Sequence, residues 1–319
     1  MNHDIVVIGA SAGGIEVLAS MVGKLPADLE ASLFVVVHVS PDHLSRLPEL
    51  LSRRGPLSAI HPLHEEAIRP GMIYVAPPDN HLQLRQGAIE VVRGAKDNGH
   101  RPAADVLFRT AAAAYGGRVI GVVLSGYQDC GTAGMMSIKA RGGIAVVQDP
   151  ATAIAPDMPH HVIERVIVDH VVPPSELPGL ITQLVATPAG PTLAPGSFVR
   201  QLEGVELGQR AEVVCPICEG VLTEAQPGVF QHFRCHVGHA FTLESLVSEQ
   251  SEQMERALWA AVRVLEESAA LARRVSLHES GELKQRFAEK AKIHAQQADD
   301  IRQLLLHGRM LGPLDAAAL

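Results

Sequence analysis

The sequence predicts a doubly wound, mostly parallel α/β sheet of the Rossmann-like kind, followed by a small Cys/His module and a C-terminal helical hairpin. Three observations predict it. From Asp4 to Ala186, short β-branched runs alternate with helix-period segments. Those runs are continuously apolar rather than alternating, as in strands covered on both faces. Beyond residue 186 the composition turns to Pro and Gly, then to clustered Cys and His, then to a long helical stripe.

Ile5–Ile8, Leu33–His38, Met72–Val75, Val119–Leu124 and Ile144–Val147 are the expected strands. Ile15–Leu25, Ala103–Tyr115 and Thr132–Arg141 suit crossover helices, and Ile89–Val92 after the Gln86-Gly87 turn suggests a small hairpin. The expected division is an α/β domain over 1–186, a Pro/Gly-rich linker over 187–210, a Cys/His module over 211–242 and a helical hairpin over 243–319. Leu243, Val247, Met254, Leu258, Leu265 and Leu271 stripe its first helix. Leu283, Phe287, Ala291, Ala298 and Leu305 stripe the second, with the turn near Gly281. Such stripes normally form the pair's own core. Trp259, the one tryptophan, makes a homo-oligomer or partner interface the second reading.

The 319 residues suffice for one full core and a smaller module. Hydrophobic residues at 47% and charged residues at 19% describe a globular chain, not a disordered one. A formal charge of −8 argues against nucleic acid as the partner. No apolar run approaches the roughly 20 residues of a membrane span, and the N-terminus lacks a signal pattern, so the expected location is the cytoplasm.

Gly9-Ala10-Ser11-Ala12-Gly13 spells G-x-S-x-G at a strand-to-helix turn. Glycines beside the serine permit a sharp elbow that exposes its hydroxyl. Free amides of Ala12 and Gly13 at the following helix N-terminus can hold an oxyanion. The competing reading is an ordinary Gly-rich turn or a phosphate cradle, although neither G-x-G-x-x-G nor a Walker lysine fits. A serine nucleophile needs a base and an acid to orient that base. His38 ends the second strand, at the sheet edge that holds Ser11. Asp129 lies on the Gly-punctuated loop 124–135 that opens a helix, where capping is its alternative role.

Gly9-Ala10-Ser11-Ala12-Gly13-Gly14, Val37-His38-Val39-Ser40-Pro41, and His100-Arg101-Pro102 with Asp105-Val106-Leu107-Phe108 form an ordered set. So do the 124–135 loop, Ala76-Pro77-Pro78-Asp79-Asn80-His81 and Asp157-Met158-Pro159. Over residues 3–186 this set resembles the CheB-type protein-glutamate methylesterase domain. The resemblance implies hydrolysis of glutamate γ-methyl esters on chemoreceptors in chemotaxis signal transduction, and in some members glutamine deamidation. It implies Ser11 as nucleophile, His38 as base and no cofactor for catalysis. The family's catalytic aspartate directly precedes the glycine of Gly-x-Ala-Gly; that slot here is Cys130, with Asp129 one position earlier. Losing an orienting acid can cost ~10⁴ in turnover, and a thiol is a poor substitute. Asp129 swings in, the enzyme is a slow dyad, or the site only binds; the expectation taken is the first. Chemotaxis members carry an N-terminal receiver domain, whereas the first strand here begins at Ile5, so a stand-alone form is expected. Its regulation would then come from the C-terminal region or from partners.

Cys215-Pro216-Ile217-Cys218 and Cys235-His236-Val237-Gly238-His239 give C-x₂-C-x₁₆-C-x₃-H, close to the spacing of a closed zinc site. The expected ligands are Cys215, Cys218, Cys235 and His239, with His236 as rival for the fourth place. Three reduced cysteines in a small core are the alternative. Four protein ligands leave no open position, so the zinc would be structural. The segment also resembles the zinc-ribbon-like tail of some stand-alone CheB-type proteins. Two functions follow: an esterase acting on a methylated receptor or other signalling protein, and a zinc-stabilised adaptor that binds without turnover.

Overall fold

The structure, a computed structural model, describes residues 1–39, 45–206, 208–225 and 230–307. Ser40 and Pro41 of the strand-end motif, and 308–319 of the expected hairpin, lie outside the described residues. The chain opens with β1 (Ile5–Ala10), α1 (Gly14–Val22), β2 (Ser32–Val37) and α2 (Leu47–Arg54). Next come β3 (Ser58–Ile60), β4 (Glu66–Ala67), β5 (Met72–Val75), β6 (His81–Arg85), β7 (Ala88–Val92) and α3 (Ala104–Tyr115). They lead to β8 (Val119–Val123), α4 (Thr132–Ala140), β9 (Ile144–Gln148), α5 (Asp157–Arg165), β10 (His170–Val172) and α6 (Leu177–Val185).

A seven-stranded sheet runs β10-β9-β8-β1-β2-β5-β3, parallel at every pairing. The five expected strands are β1, β2, β5, β8 and β9, and the doubly wound α/β class stands. Val6, Ile8 and Ala10 of β1 pack with Leu18 and Val22 of α1 and with α6, while Ile5 and Val7 join the core that holds Leu107 and Phe108 of α3. Both faces are dry, which is why the strands are continuously apolar. The strand order reverses at β1, whose neighbours are β2 and β8, so the carboxyl ends of these three strands frame a crevice. The expected hairpin is β6–β7, turning through Gly87 at φ 79 and joined by β4 in a small antiparallel sheet.

Beyond the sheet lie α7 (Ser197–Leu202), then β11 (Gln209–Val214), β12 (Val221–Ala225), β13 (His232–Cys235) and β14 (Ala240–Thr242) in one antiparallel sheet. The expectation of a plain linker over 187–210 needs correction. Helix α7 interrupts it and buries Val199 and Leu202, apolar residues that the surrounding Pro and Gly obscure. Met1–Ser245 form one compact unit, so the Cys/His module packs with the α/β sheet rather than standing apart.

The second unit, Leu246–Leu319, comprises most of α8 (Leu243–His278) and α9 (Gly281–Leu306). Small buried residues (Ala269, Ala272, Ala291 and Ala298) allow close helix approach, and His294 Nδ1 lies 2.9 Å from Ser268 Oγ. Among the described residues no helix is long and apolar enough to cross a membrane.

Candidate active site

The elbow forms where β1 meets α1. Ser11 N donates to Ser125 O at 2.9 Å and Gly14 N closes the turn on Ser11 O at 3.0 Å. Gly13 sits at φ 76, and a Cβ there would fall 2.6 Å from Ile154 Cβ. The position therefore requires glycine both conformationally and sterically. Ser125 Oγ donates to Ala12 O at 2.7 Å and accepts from Ala155 N at 2.9 Å, tying the elbow to the end of β8 and the loop after β9. Among the described residues the amides of Ala12 and Gly13 are unengaged, as an oxyanion site requires.

Backbone register places His38. Ala10 pairs with Val37 across β1 and β2, and His38 N donates to Ala10 O at 3.2 Å. Ser11 and His38 are thus the next residues on adjacent parallel strands, whose spacing is about 4.8 Å. The His38 ring stacks on His100, with centroids 3.8 Å apart and planes 16° apart. Burial first, and the neighbouring His100 second, push the His38 pKa well below its usual value. The imidazole is therefore neutral at neutral pH and able to accept a proton. Its Nε2 is buried and, among the described residues, has no hydrogen-bond partner.

Asp129 does not supply that partner. Its carboxyl is buried, and Oδ1 accepts from Thr242 Oγ1 at 2.9 Å. Burial raises its pKa to about 7; the Thr242 bond and His161 oppose the rise, while Asp105 and Glu244 add to it. Cys130, in the slot where the resemblance expects an acid, is buried against the amino end of α3, facing the amides of Ala104 and Asp105. Burial drives its thiol pKa well up, so it carries no charge with which to orient a histidine.

Sequence reasoning gave no role to Asp105, which turns out to organise this loop. Its Oδ2 accepts from Gly131 N at 2.8 Å and Asn98 Nδ2 at 3.0 Å, and Oδ1 from Gly134 N at 2.6 Å, satisfying the first amides of α4. The side chain sits 26 residues before Gly131, too far for a capping pattern to reveal. Gly126 is equally constrained, since a Cβ there would meet Met158 Sδ at 2.1 Å and Ser11 Cβ at 2.8 Å.

The Cys/His module brings Cys215, Cys218, Cys235 and His239 together, their ligand atoms all within 4.8 Å of one another. Cys218 Sγ to Cys235 Sγ is 3.6 Å, and His239 Nδ1 lies 3.5 Å from Cys235 Sγ and 3.6 Å from Cys215 Sγ. Tetrahedral zinc with Zn–S of about 2.3 Å and Zn–N of about 2.0 Å needs edges of roughly 3.5–3.8 Å. The four residues fit a metal, and the group includes His239 rather than its rival His236.

The family model for CheB methylesterase matches residues 6–181. A putative protein-glutamate methylesterase/protein-glutamine glutaminase of Leptospira interrogans (strain Fiocruz L1-130) is 35% identical over 185 residues, covering 58% of this chain and 96% of that protein. The protein-glutamate methylesterase/protein-glutamine glutaminase of Pyrococcus horikoshii is 35% identical over 184 residues, 56% of this chain and 50% of its own. Among solved structures, the Thermotoga maritima CheB methylesterase catalytic domain superposes with a TM-score of 0.56 at 32% identity, covering 58% of this chain and all of that one. The chain belongs to the CheB methylesterase family. Residues 182–319, including Thr242 and the four candidate metal ligands, fall outside the matched region.

Proposed function

We propose that the protein is a cytoplasmic serine esterase that hydrolyses γ-methyl esters of glutamate side chains on a chemoreceptor-like or other signalling protein, and can deamidate glutamine by the same route. The observation that carries this reading is Ser11 beside a neutral His38 on register-matched strand ends, with free amides at Ala12 and Gly13. His38 accepts the Ser11 proton as Oγ attacks the ester carbonyl, and the amides receive the oxyanion. Collapse forms the acyl-enzyme and His38 passes the proton to departing methanol. Water, deprotonated by His38, then releases the glutamate carboxylate and frees Ser11.

Zinc held by Cys215, Cys218, Cys235 and His239 would be structural, because four protein ligands close its coordination shell. A second reading, a binding adaptor without turnover, is favoured by one observation: the Asp129 carboxyl is engaged by Thr242 while His38 Nε2 has no partner among the described residues. Methanol release from methylated receptor by the wild type and Ser11→Ala separates the two. A wild-type rate above that of Ser11→Ala supports the esterase; equal rates leave the adaptor.

A further inference from the structure

Asp129 is bound from outside the region that matches the family. Thr242 ends β14, the last strand of the Cys/His module, and that strand docks against the segment before α3. Asn98 N donates to Ala240 O at 2.8 Å and Ala240 N to Lys96 O at 3.2 Å. Asn98 Oδ1 then receives Thr242 N at 2.9 Å and Ser245 Oγ at 2.9 Å. Its Nδ2 donates to Asp105, which holds the amides of Gly131 and Gly134. The acid loop is therefore gripped twice from one side, through Asn98 and Asp105 at its backbone and through Thr242 at the Asp129 carboxyl. All these side chains are buried, so solvent does not compete for the bonds. Asp105, His161 and Glu244 act electrostatically on Asp129 and Arg165 lines the same cavity, whereas His100 faces His38.

We propose that Thr242 is a positioning residue for the esterase site, its hydroxyl delivered by the Cys/His module to hold the Asp129 carboxyl away from His38 in a resting arrangement. The inference rests on the reading of Ser11 and His38 as the reacting pair. The conformational choice has a simple physical basis. A buried carboxyl must keep a donor, and in this arrangement the Thr242 hydroxyl is that donor. While Thr242 supplies one, turnover proceeds on a dyad. Withdrawal of β14, for instance by a partner that engages the module, would transfer the carboxyl to His38 and complete the triad.

The test uses the full chain with Thr242→Val, which keeps the side-chain shape but removes the donor, and Thr242→Ser, which restores it. Methanol release is expected to rise at least about tenfold in kcat for Thr242→Val with KM unchanged, and Thr242→Ser to behave as wild type. Adding Asp129→Asn to Thr242→Val should remove the gain. In parallel, the His38 ring proton is followed by NMR in histidine-labelled protein, and a downfield shift in Thr242→Val reports the new bond without any turnover. Unchanged or lower kcat together with an unshifted His38 proton, in a protein with wild-type circular dichroism, overturns the proposal. A shifted proton with no turnover by any variant keeps the role of Thr242 and removes the esterase reading instead.

Discussion

Ser11 and His38 are held by backbone, and Asp129 by side chains. The first pair follows from strand register: Ala10 opposite Val37 fixes the next residues whatever surrounds them. The Asp129 carboxyl accepts from Thr242, which belongs to a module more than a hundred residues away in sequence. Backbone placement is robust, because moving it means breaking a parallel ladder in a dry sheet. Side-chain placement is more adjustable, because it rests on a few side-chain bonds and not on a ladder. The strand-end pair should therefore tolerate little chemical change, and the loop should tolerate change with graded effects.

The largest effect belongs to the strand ends. Ser11→Ala is expected to lower methanol release by ~10⁴ or more, with melting temperature within a degree or two of wild type. Loss of folding instead of activity would mean that Ser11 is a packing residue. The next tests the module. One zinc per chain is expected by elemental analysis, and its removal by chelator with a reducing agent, or Cys235→Ser, should destabilise the module by several kcal/mol. Because β14 grips the 96–98 segment, amide exchange should accelerate there and across 125–131, while β1 and β2 keep their protection. Unchanged exchange at 125–131 would uncouple the loop from the module.

Gly126→Ala ranks third. The backbone of Gly126 cannot retreat, since its N donates to Ala155 O and its O receives Met158 N, both at 2.9 Å. A new methyl must displace Met158 Sδ or the Ser11 Cβ, at a cost of about 3 kcal/mol, read by denaturant midpoint. A neutral result would show that the crevice is looser than the strand ends imply.

The fold was legible in the sequence because the five longest strands of the parallel sheet are continuous apolar runs, and the placement of Ser11 and His38 because strand ends are visible where such runs stop. The three-residue strands β3 and β10 are too short to show a pattern. Helix α5 was hidden because its first turn carries Pro159. The Cys215, Cys218, Cys235 and His239 cluster was legible from spacing, which a knuckle imposes on the chain directly. Asp129 lies on the loop before α4, but its carboxyl bonds Thr242, and no local pattern encodes a bond across 113 residues. Asp105 escaped for the same reason, its capping role being set in space rather than in sequence.

The smallest expected effect sharpens the contrast at Asp129. Its folded pKa of about 7 lies above the ordinary carboxylate value of 3.8. Between those values the folded state holds a proton that the unfolded state has lost, so this group's contribution to stability falls as pH rises. Asp129→Asn keeps an acceptor for Thr242 and removes the titration. Its stability relative to wild type should therefore grow by about 2 kcal/mol from pH 5 to pH 7, read as the difference between the two urea curves. The difference is the right quantity, because His38, His81 and His232 have lowered pKa values and push both proteins the other way, toward greater stability as pH rises through the unfolded histidine value. A difference that stays flat with pH would mean that Asp129 is already ionised and better solvated than its burial implies. The loop would then be open enough for the acid to reach His38 without release by Thr242.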